Sequence, residues 1–255
     1  MHNYFTITAG RTGSAWLASF LGANLGIKAI HEPLAIDDFG VRMPDIRTMR
    51  TFNTHGNNEF VREFWVRKFA SIPAEGYAET NHTLCKCGLV ENVILHGRED
   101  ITRLVVLKRA IVKQCTSYIV RGDFDNITLI WQWYLHTAYP KKLVNPKSFA
   151  VLGSIGMPLW YCYEMAARQE YYRQKFSDRI QMVAVDLEEV TSEAGAQALL
   201  AALGHEGPCV LPAPRNENPV TPPPELVARI EEAVARLRVD MEELVDHVIR
   251  AGFGF

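Results

Sequence analysis

The chain contains no apolar run of transmembrane length and no charged-then-apolar leader, so neither a membrane span nor a secretory signal is expected. It has no surplus of either charge: 27 Lys and Arg stand against 29 Asp and Glu, a formal net charge of −2. That balance offers no global field for nucleic acid or an anionic membrane as partner, so any anion site must be a local basic patch. It has no paired cysteine framework. The five cysteines, Cys85, Cys87, Cys115, Cys162 and Cys209, are odd in number and scattered, which argues for free thiols in a reducing compartment. Cys85-x-Cys87 lacks a second pair at zinc spacing, so buried small side chains are expected there and no metal. There is no internal repeat.

What is present is an ordinary globular composition. The 255 residues are 48% hydrophobic and 22% charged, enough to bury a sizeable core as a single domain spanning 1–255. Short β-branched or aromatic runs at 4–8, 26–30, 77–81, 103–107 and 180–185 read as strands. Three-to-four apolar spacing predicts helices at 58–70, 86–96, 111–121, 126–138, 158–175, 193–203 and 225–250. Residues 36–57 read as a turn-rich surface excursion, and prolines make 208–224 a loop. Strands alternating with helices predict an α/β fold, a parallel sheet of about five strands with helices on both faces. Ligands bind such sheets beyond the carboxyl ends of the strands, so the loops after Thr8, Ile30, Asn81, Leu107 and Val185 should share one rim. The helix at 126–138, nearly apolar all round, is either core or a subunit contact that would make a homodimer.

The chain is organised around residues 4–17. Tyr4 to Thr8 is a strand, Ala9-Gly10-Arg11-Thr12-Gly13 a flexible loop around one arginine, and Trp16, Leu17, Phe20, Leu21 and Leu25 mark an amphipathic helix beginning at Ser14. Glycines let the loop curl with its N–H groups inward, and the helix N-terminus adds unpaired donors. Arg11 brings charge, Thr12 and Ser14 hydroxyls. The plainer alternative is an ordinary strand–turn–helix with Arg11 in solvent. The loop matches neither G-x-x-x-x-G-K-[ST] nor G-x-G-x-x-G. A second segment, Lys108 to Tyr118, follows the clearest strand. There Arg109 offers a bidentate fork to phosphate oxygens, and Ser117 follows eight residues on. Read alone, that segment is simply a basic strand end before an amphipathic helix.

Together the two segments resemble the nucleotide-binding loops of sulfotransferases that use 3'-phosphoadenosine-5'-phosphosulfate (PAPS). The resemblance implies a P-loop-like fold. It implies that Arg11, Thr12, Gly13, Ser14 and Ala15 hold the 5'-phosphosulfate, that Trp16 stacks on adenine, and that Arg109 and Ser117 hold the 3'-phosphate. Ala15 departs from the family's usual hydroxyl residue, leaving only a backbone contact there, and Ala110-Ile111 replaces its Asp-Pro. The family's late Arg-Lys-Gly segment is missing, with Arg215 and Asn216 as substitutes. The implied reaction moves a sulfuryl group to a hydroxyl or amine of a small-molecule or carbohydrate acceptor, leaving 3',5'-ADP (PAP). Golgi members of the family carry an N-terminal anchor, so the expectation here is a cytoplasmic enzyme.

Such chemistry needs a proton acceptor beside the loop. His31, Glu32, Glu79 and His82 stand at strand ends. Glu32 is the first choice, because His31-Glu32-Pro33 resembles a Glu-Pro turn of bacterial and carbohydrate sulfotransferases and because strand two is expected beside strand one. Glu79 and His82 are the reserves. Each has an alternative role as a cap, an ion pair or a satisfied polar group. Trp131, Trp133, Tyr134, Trp160, Tyr161 and Tyr163 read as core first and acceptor pocket second. Two other function classes compete. One is a P-loop kinase or NTPase using Asp186 after Val183-Ala184-Val185; the other is a catalytically silent nucleotide-binding module.

Overall fold

The computed structural model describes residues 1–213 and 220–255. Arg215 and Asn216 lie outside the described residues. Five strands, β1 (Asn3–Ile7), β2 (Lys28–Ile30), β3 (Tyr77–Glu79), β4 (Thr102–Lys108) and β5 (Gln181–Asp186), form one sheet in the order β2-β3-β1-β4-β5, every neighbouring pair parallel. The helices among the described residues are, through the first half, α1 (Ser14–Leu25), α2 (Ile46–His55), α3 (Glu59–Ala70), α4 (Leu89–Leu95), α5 (Ile111–Arg121) and α6 (Ile127–Trp133). Then follow α7 (Lys147–Ala150), α8 (Gly156–Phe176), α9 (Leu187–Val190), α10 (Glu193–Ala202), α11 (Pro224–Leu237) and α12 (Met241–Arg250). This is the expected α/β class, a five-stranded parallel sheet with helices on both faces.

The two-residue period of the strands divides the interior into two cores. Phe5, Ile7, Leu104 and Val106 face a large core shared with α2, α3, α4, α5 and α8. Tyr4, Ala78, Val105 and Leu107 face a smaller one built with α1, α9 and α10. Strand side chains buried on both faces are what a covered parallel sheet requires. The helices carry their own start signals. Asp45 accepts from the Thr48 N–H, Asn58 from Val61, Ser192 from Gly195 and Asp240 from Glu243, each removing one unpaired donor from a first turn.

Four expectations need correction. Residues 36–57 are not merely an excursion: Ile46–His55 is helical, and Met49, Phe52 and Asn53 are fully buried. The helix's apolar positions Ile46, Met49 and Phe52 recur every three residues, a helical spacing the turn-rich reading passed over, and buried Asn53, hydrogen-bonded to the carbonyls of Met49 and Lys86, completes the inward face. The apolar helix expected at 126–138 stops at Trp133. Tyr134 turns extended and inserts its ring beside Phe124, 4.7 Å away, and Tyr161, 5.2 Å away. The terminal helix expected at 225–250 is two helices, broken where Arg238 adopts a left-handed φ of 43° and Asp240 caps a fresh start. Finally, β2 pairs with β3 rather than β1: the long connection bearing α2 and α3 brings β3 in between.

One carboxyl group makes the fold pH-sensitive. Glu91 on α4 is partly exposed along its stem, but its Oε2 lies out of solvent with no hydrogen-bond partner among the described residues. Tyr172 of α8 donates to Oε1 at 3.0 Å. Burial pushes this carboxyl up to about 7. A native-state value above the unfolded one means that the stability it lends below the carboxylate range is lost as pH rises from ~4.5 through that value. In urea denaturation, Glu91→Gln should therefore gain on the wild type by ~2–3 kcal/mol between pH 5 and pH 8. A pH-independent difference would show that the carboxyl is solvated.

Candidate active site

The loop after β1 is held open by its own carbonyls. Ala9 O accepts from the hydroxyls of Tyr118 at 2.6 Å and Tyr161 at 2.8 Å. Gly10 O accepts from Gln114 Nε2 at 2.8 Å, and Arg11 O from an Arg109 guanidinium nitrogen at 2.8 Å. With the carbonyls drawn toward α5 and α8, no backbone N–H from Arg11 to Trp16 finds an acceptor among the described residues. Left-handed φ at Gly10 (87°), Arg11 (54°) and Gly13 (79°) makes the curl. At Arg11, which is not glycine, that conformation costs on the order of 1–3 kcal/mol. A Cβ at Gly13 would come within 2.4 Å of Leu187 Cδ1, so that side chain would have to move, and the positive φ strains any other residue there. Successive inward amides at the start of a long helix form an anion-binding concavity.

The side chains of the loop divide the work. The Thr8 hydroxyl donates to Leu107 O at 3.2 Å and accepts from Thr12, so the Thr12 hydroxyl is spent inside the loop. The Ser14 hydroxyl has no partner among the described residues, while its carbonyl accepts from Thr80 Oγ1 at 2.7 Å. Ala15 and Trp16 reach the cavity wall. Trp16 is otherwise buried, stacked on Phe20 at 5.1 Å and donating to Pro212 O at 3.1 Å. Arg11 Nε donates to Ser117 Oγ at 3.0 Å, which joins the two segments that the sequence marked separately. Burial, then the neighbouring Arg121, lowers the Arg11 guanidinium from its ordinary value. Arg109 lies 3.8 Å from Glu188, yet its Nε is buried without a hydrogen-bond acceptor.

Across the cavity stand the proton-acceptor candidates. Glu32 has a left-handed φ of 48° and sits between two histidines. His31 Nε2 lies 3.8 Å from Oε2 and His82 Nε2 lies 3.4 Å from Oε1. His31 donates through Nδ1 to Thr80 O at 2.7 Å. Burial raises the Glu32 carboxyl from its ordinary value, against the pull of His31 and Lys86. His82 is held well below the usual imidazole range by burial, then by Lys86, His31 and Arg11. Glu79 is elsewhere. Its register partner on β1 is Phe5, so it faces the larger core, where it is fully buried and takes Lys68 Nζ at 2.6 Å, the Tyr77 hydroxyl at 2.6 Å and Asn81 Nδ2 at 2.9 Å. It does not line the cavity.

The cavity holds about 1000 Å³, and the ends of all five strands contribute to its lining. Asp186, in contrast, is exposed and is not part of it. Among the described residues no group of three or more His, Cys, Asp or Glu side chains is placed to hold a metal, and no helix is long and apolar enough to cross a membrane. Of the aromatics, Trp133 and Tyr134 line the cavity; Trp160, Tyr161 and Tyr163 are core, and Trp131 is about half exposed. Lys86, Thr116, Arg121 and Asp123 were not singled out from the sequence. Thr116 Oγ1 and Asp123 Oδ2 are buried without hydrogen-bond partners, and both residues line the cavity with Arg121. A helix face repeating every four residues from Val112 through Thr116 to Val120 was the available signal.

No protein-family model and no curated protein matches the chain. Its fold is similar to that of a sulfotransferase from Alicyclobacillus acidocaldarius, with a TM-score of 0.51 and 16% identity over 96% of each chain.

The buried Lys68–Glu79 pair is expected to be structural. Burial lowers the Lys68 ammonium, with Glu79 opposing. Removing one partner strands the other's charge, so Glu79→Ala should cost ~3–5 kcal/mol in chemical denaturation. Glu79→Ala with a loss below ~1 kcal/mol would mean that water reaches the pair.

Proposed function

We propose that the chain is a PAPS-dependent sulfotransferase, a single catalytic domain of residues 1–255 that acts in the cytoplasm on a hydroxyl or amine of a small-molecule or carbohydrate acceptor. The observation that carries this reading is the joined pair of anion sites: bare N–H groups from Arg11 to Trp16, and a buried Arg109 Nε without an acceptor, linked through Arg11 and Ser117. Two anionic groups on one ligand suit two such sites. The similarity in fold to the Alicyclobacillus enzyme raises the weight of the reading. The absence of a loop lysine speaks against a kinase, as does Asp186, which is exposed and is not itself among the cavity-lining residues.

On this reading the loop amides, Ser14 and Arg11 hold the 5'-phosphosulfate, Trp16 borders the adenine, and Arg109 with Ser117 takes the 3'-phosphate. PAPS supplies the sulfuryl group: the acceptor oxygen or nitrogen bonds to sulfur as the bond from sulfur to the 5'-phosphate oxygen breaks, and PAP leaves. Arg11 and the fixed N–H dipoles oppose the charge gathering on the phosphate, which demands no reorganisation at the moment of transfer. Glu32 takes the acceptor's proton. Its raised carboxyl, still drawn down by His31 and Lys86, is a stronger base than an exposed glutamate.

Two measurements test the proposal. In thermal denaturation PAP should stabilise the chain more than ATP with magnesium. Arg109→Ala should weaken PAP by about tenfold or more, and adenosine 5'-phosphosulfate, which lacks the 3'-phosphate, much less. Equal losses for both ligands would remove the 3'-phosphate assignment. With labelled PAPS and an acceptor panel, Glu32→Gln should keep PAP binding and lose ~10²-fold or more in turnover. Normal turnover in that variant would take the base away from Glu32.

A further inference from the structure

Behind Glu32 lies a second layer of polar groups. Lys86, in the tight turn Leu84–Lys86 after β3, is fully buried. Its Nζ is 2.8 Å from the Tyr161 hydroxyl and 2.8 Å from His82 Nδ1, and it also contacts Trp133 O. The Tyr161 proton is committed to Ala9 O at 2.8 Å, so toward Lys86 that hydroxyl only accepts. A carbonyl only accepts as well. An ammonium has three protons and no lone pair, and here it meets three acceptors.

We propose that Lys86 is a positioning residue that locks His82 as the neutral tautomer protonated on Nε2, so that His82 donates toward Glu32 and is not itself the base. The catalytic part of this rests on Glu32 being the proton acceptor; the tautomer does not. With Nδ1 engaged by Lys86, the only other ring nitrogen is Nε2, 3.4 Å from Glu32 Oε1. If that nitrogen carries the proton, the ring has no lone pair left for a substrate. The ring plane is fixed by Trp133 and Tyr134, stacked at 6.0 and 5.7 Å, and by the Gly10 backbone, where a Cβ would come within 3.2 Å of the imidazole.

The competing arrangement puts a second proton on Nδ1 and leaves Lys86 neutral. The charged and titratable groups around the pair oppose it. Arg11 from the β1 loop and His31 from the β2 end disfavour an imidazolium, Glu32 favours charge on Lys86 and lies 3.4 Å from His82 Nε2, and Cys85, Cys87 and Arg168 complete the surroundings of Lys86. Burial brings Lys86 down to about 7, while His82 falls well below its ordinary value. The shared proton therefore belongs to the lysine.

The test is nitrogen NMR of the full chain labelled at histidine, with the His82 signals identified by their loss in His82→Gln. At pH 6, below the Lys86 value of about 7, the wild type should show a bare Nδ1 and a protonated Nε2, and should keep that signature a full unit below the ordinary imidazole value of ~6.5. Lys86→Met should release the ring to exchange between tautomers and move its titration up. A wild-type spectrum with the proton on Nδ1, or on both nitrogens, overturns the proposal even if Lys86→Met fails to fold. Turnover supplies a separate reading, because a glutamine amide can still donate. His82→Gln should stay within about threefold of the wild type, and His82→Ala should fall about tenfold, with PAP affinity unchanged in both. Equal losses of ~10²-fold in both variants would make His82 the base.

Discussion

The carbonyl groups of Ala9, Gly10 and Arg11 are the constraint on which the rest depends. A loop that offers its N–H groups to a cavity must put its carbonyls somewhere, and buried carbonyls without donors are costly. Here α5 supplies Tyr118 and Gln114, α8 supplies Tyr161, and the end of β4 supplies Arg109. Each of these donors is therefore structural and site-forming at once. The same Arg109 that secures the Arg11 carbonyl leaves its Nε without a hydrogen-bond acceptor among the described residues, and the same Tyr161 that secures Ala9 accepts from Lys86. The loop, the arginine site and the Glu32 network are in this way coupled through shared side chains rather than merely adjacent.

That coupling concentrates like charge. Arg11, Arg109, Lys113 and Arg121 gather at one rim of a chain whose net charge is only −2. Glu188 pairs with Lys113 at 3.0 Å and lies 3.8 Å from Arg109, and Asp123 lies 3.4 Å from Arg121. Arg11 has no carboxylate within ion-pair distance among the described residues, and its guanidinium is lowered by burial and by Arg121. An anion placed beside it would relieve that arrangement. The two left-handed non-glycine residues at the cavity, Arg11 and Glu32, are likewise conformations that isolated turns disfavour. Arg11 is held by its hydrogen bonds to Arg109 and Ser117, and Glu32 is flanked by His31 and His82, so the surroundings fix both conformations.

Much was legible because it is local. Strand alternation, three-to-four apolar spacing and the glycines of the first loop are short-range signals, and they marked five strands, the parallel sheet and the helices at 58–70 and 111–121 closely. Less was legible at α2, whose polar stretch carries only three apolar positions, at Tyr134, which ends α6 to enter the core, and at Asp240, whose local cap restarts a helix although the apolar pattern runs on unbroken.

What the sequence by itself determined is the set of strand–loop–helix units and the chemistry each strand end carries, because propensity, period and glycine placement act over a few residues. Which of those chemistries meet was decided by tertiary structure. Glu32 and Glu79 are both glutamates at strand ends. Register puts Glu79 in line with Phe5, toward Lys68 in the larger core, whereas Glu32, just past the last residue of β2, turns into the cavity. Ile30 is the register partner of Glu79 on β2, so Glu32, two residues on, shares its parity; what separates the buried ion pair from the cavity carboxylate is that β2 has ended and Glu32 takes a left-handed φ of 48°. The partnership of Arg11 with Ser117, 106 residues apart, and of Lys86 with Tyr161, 75 apart, exists only once β1, β4 and α8 are packed.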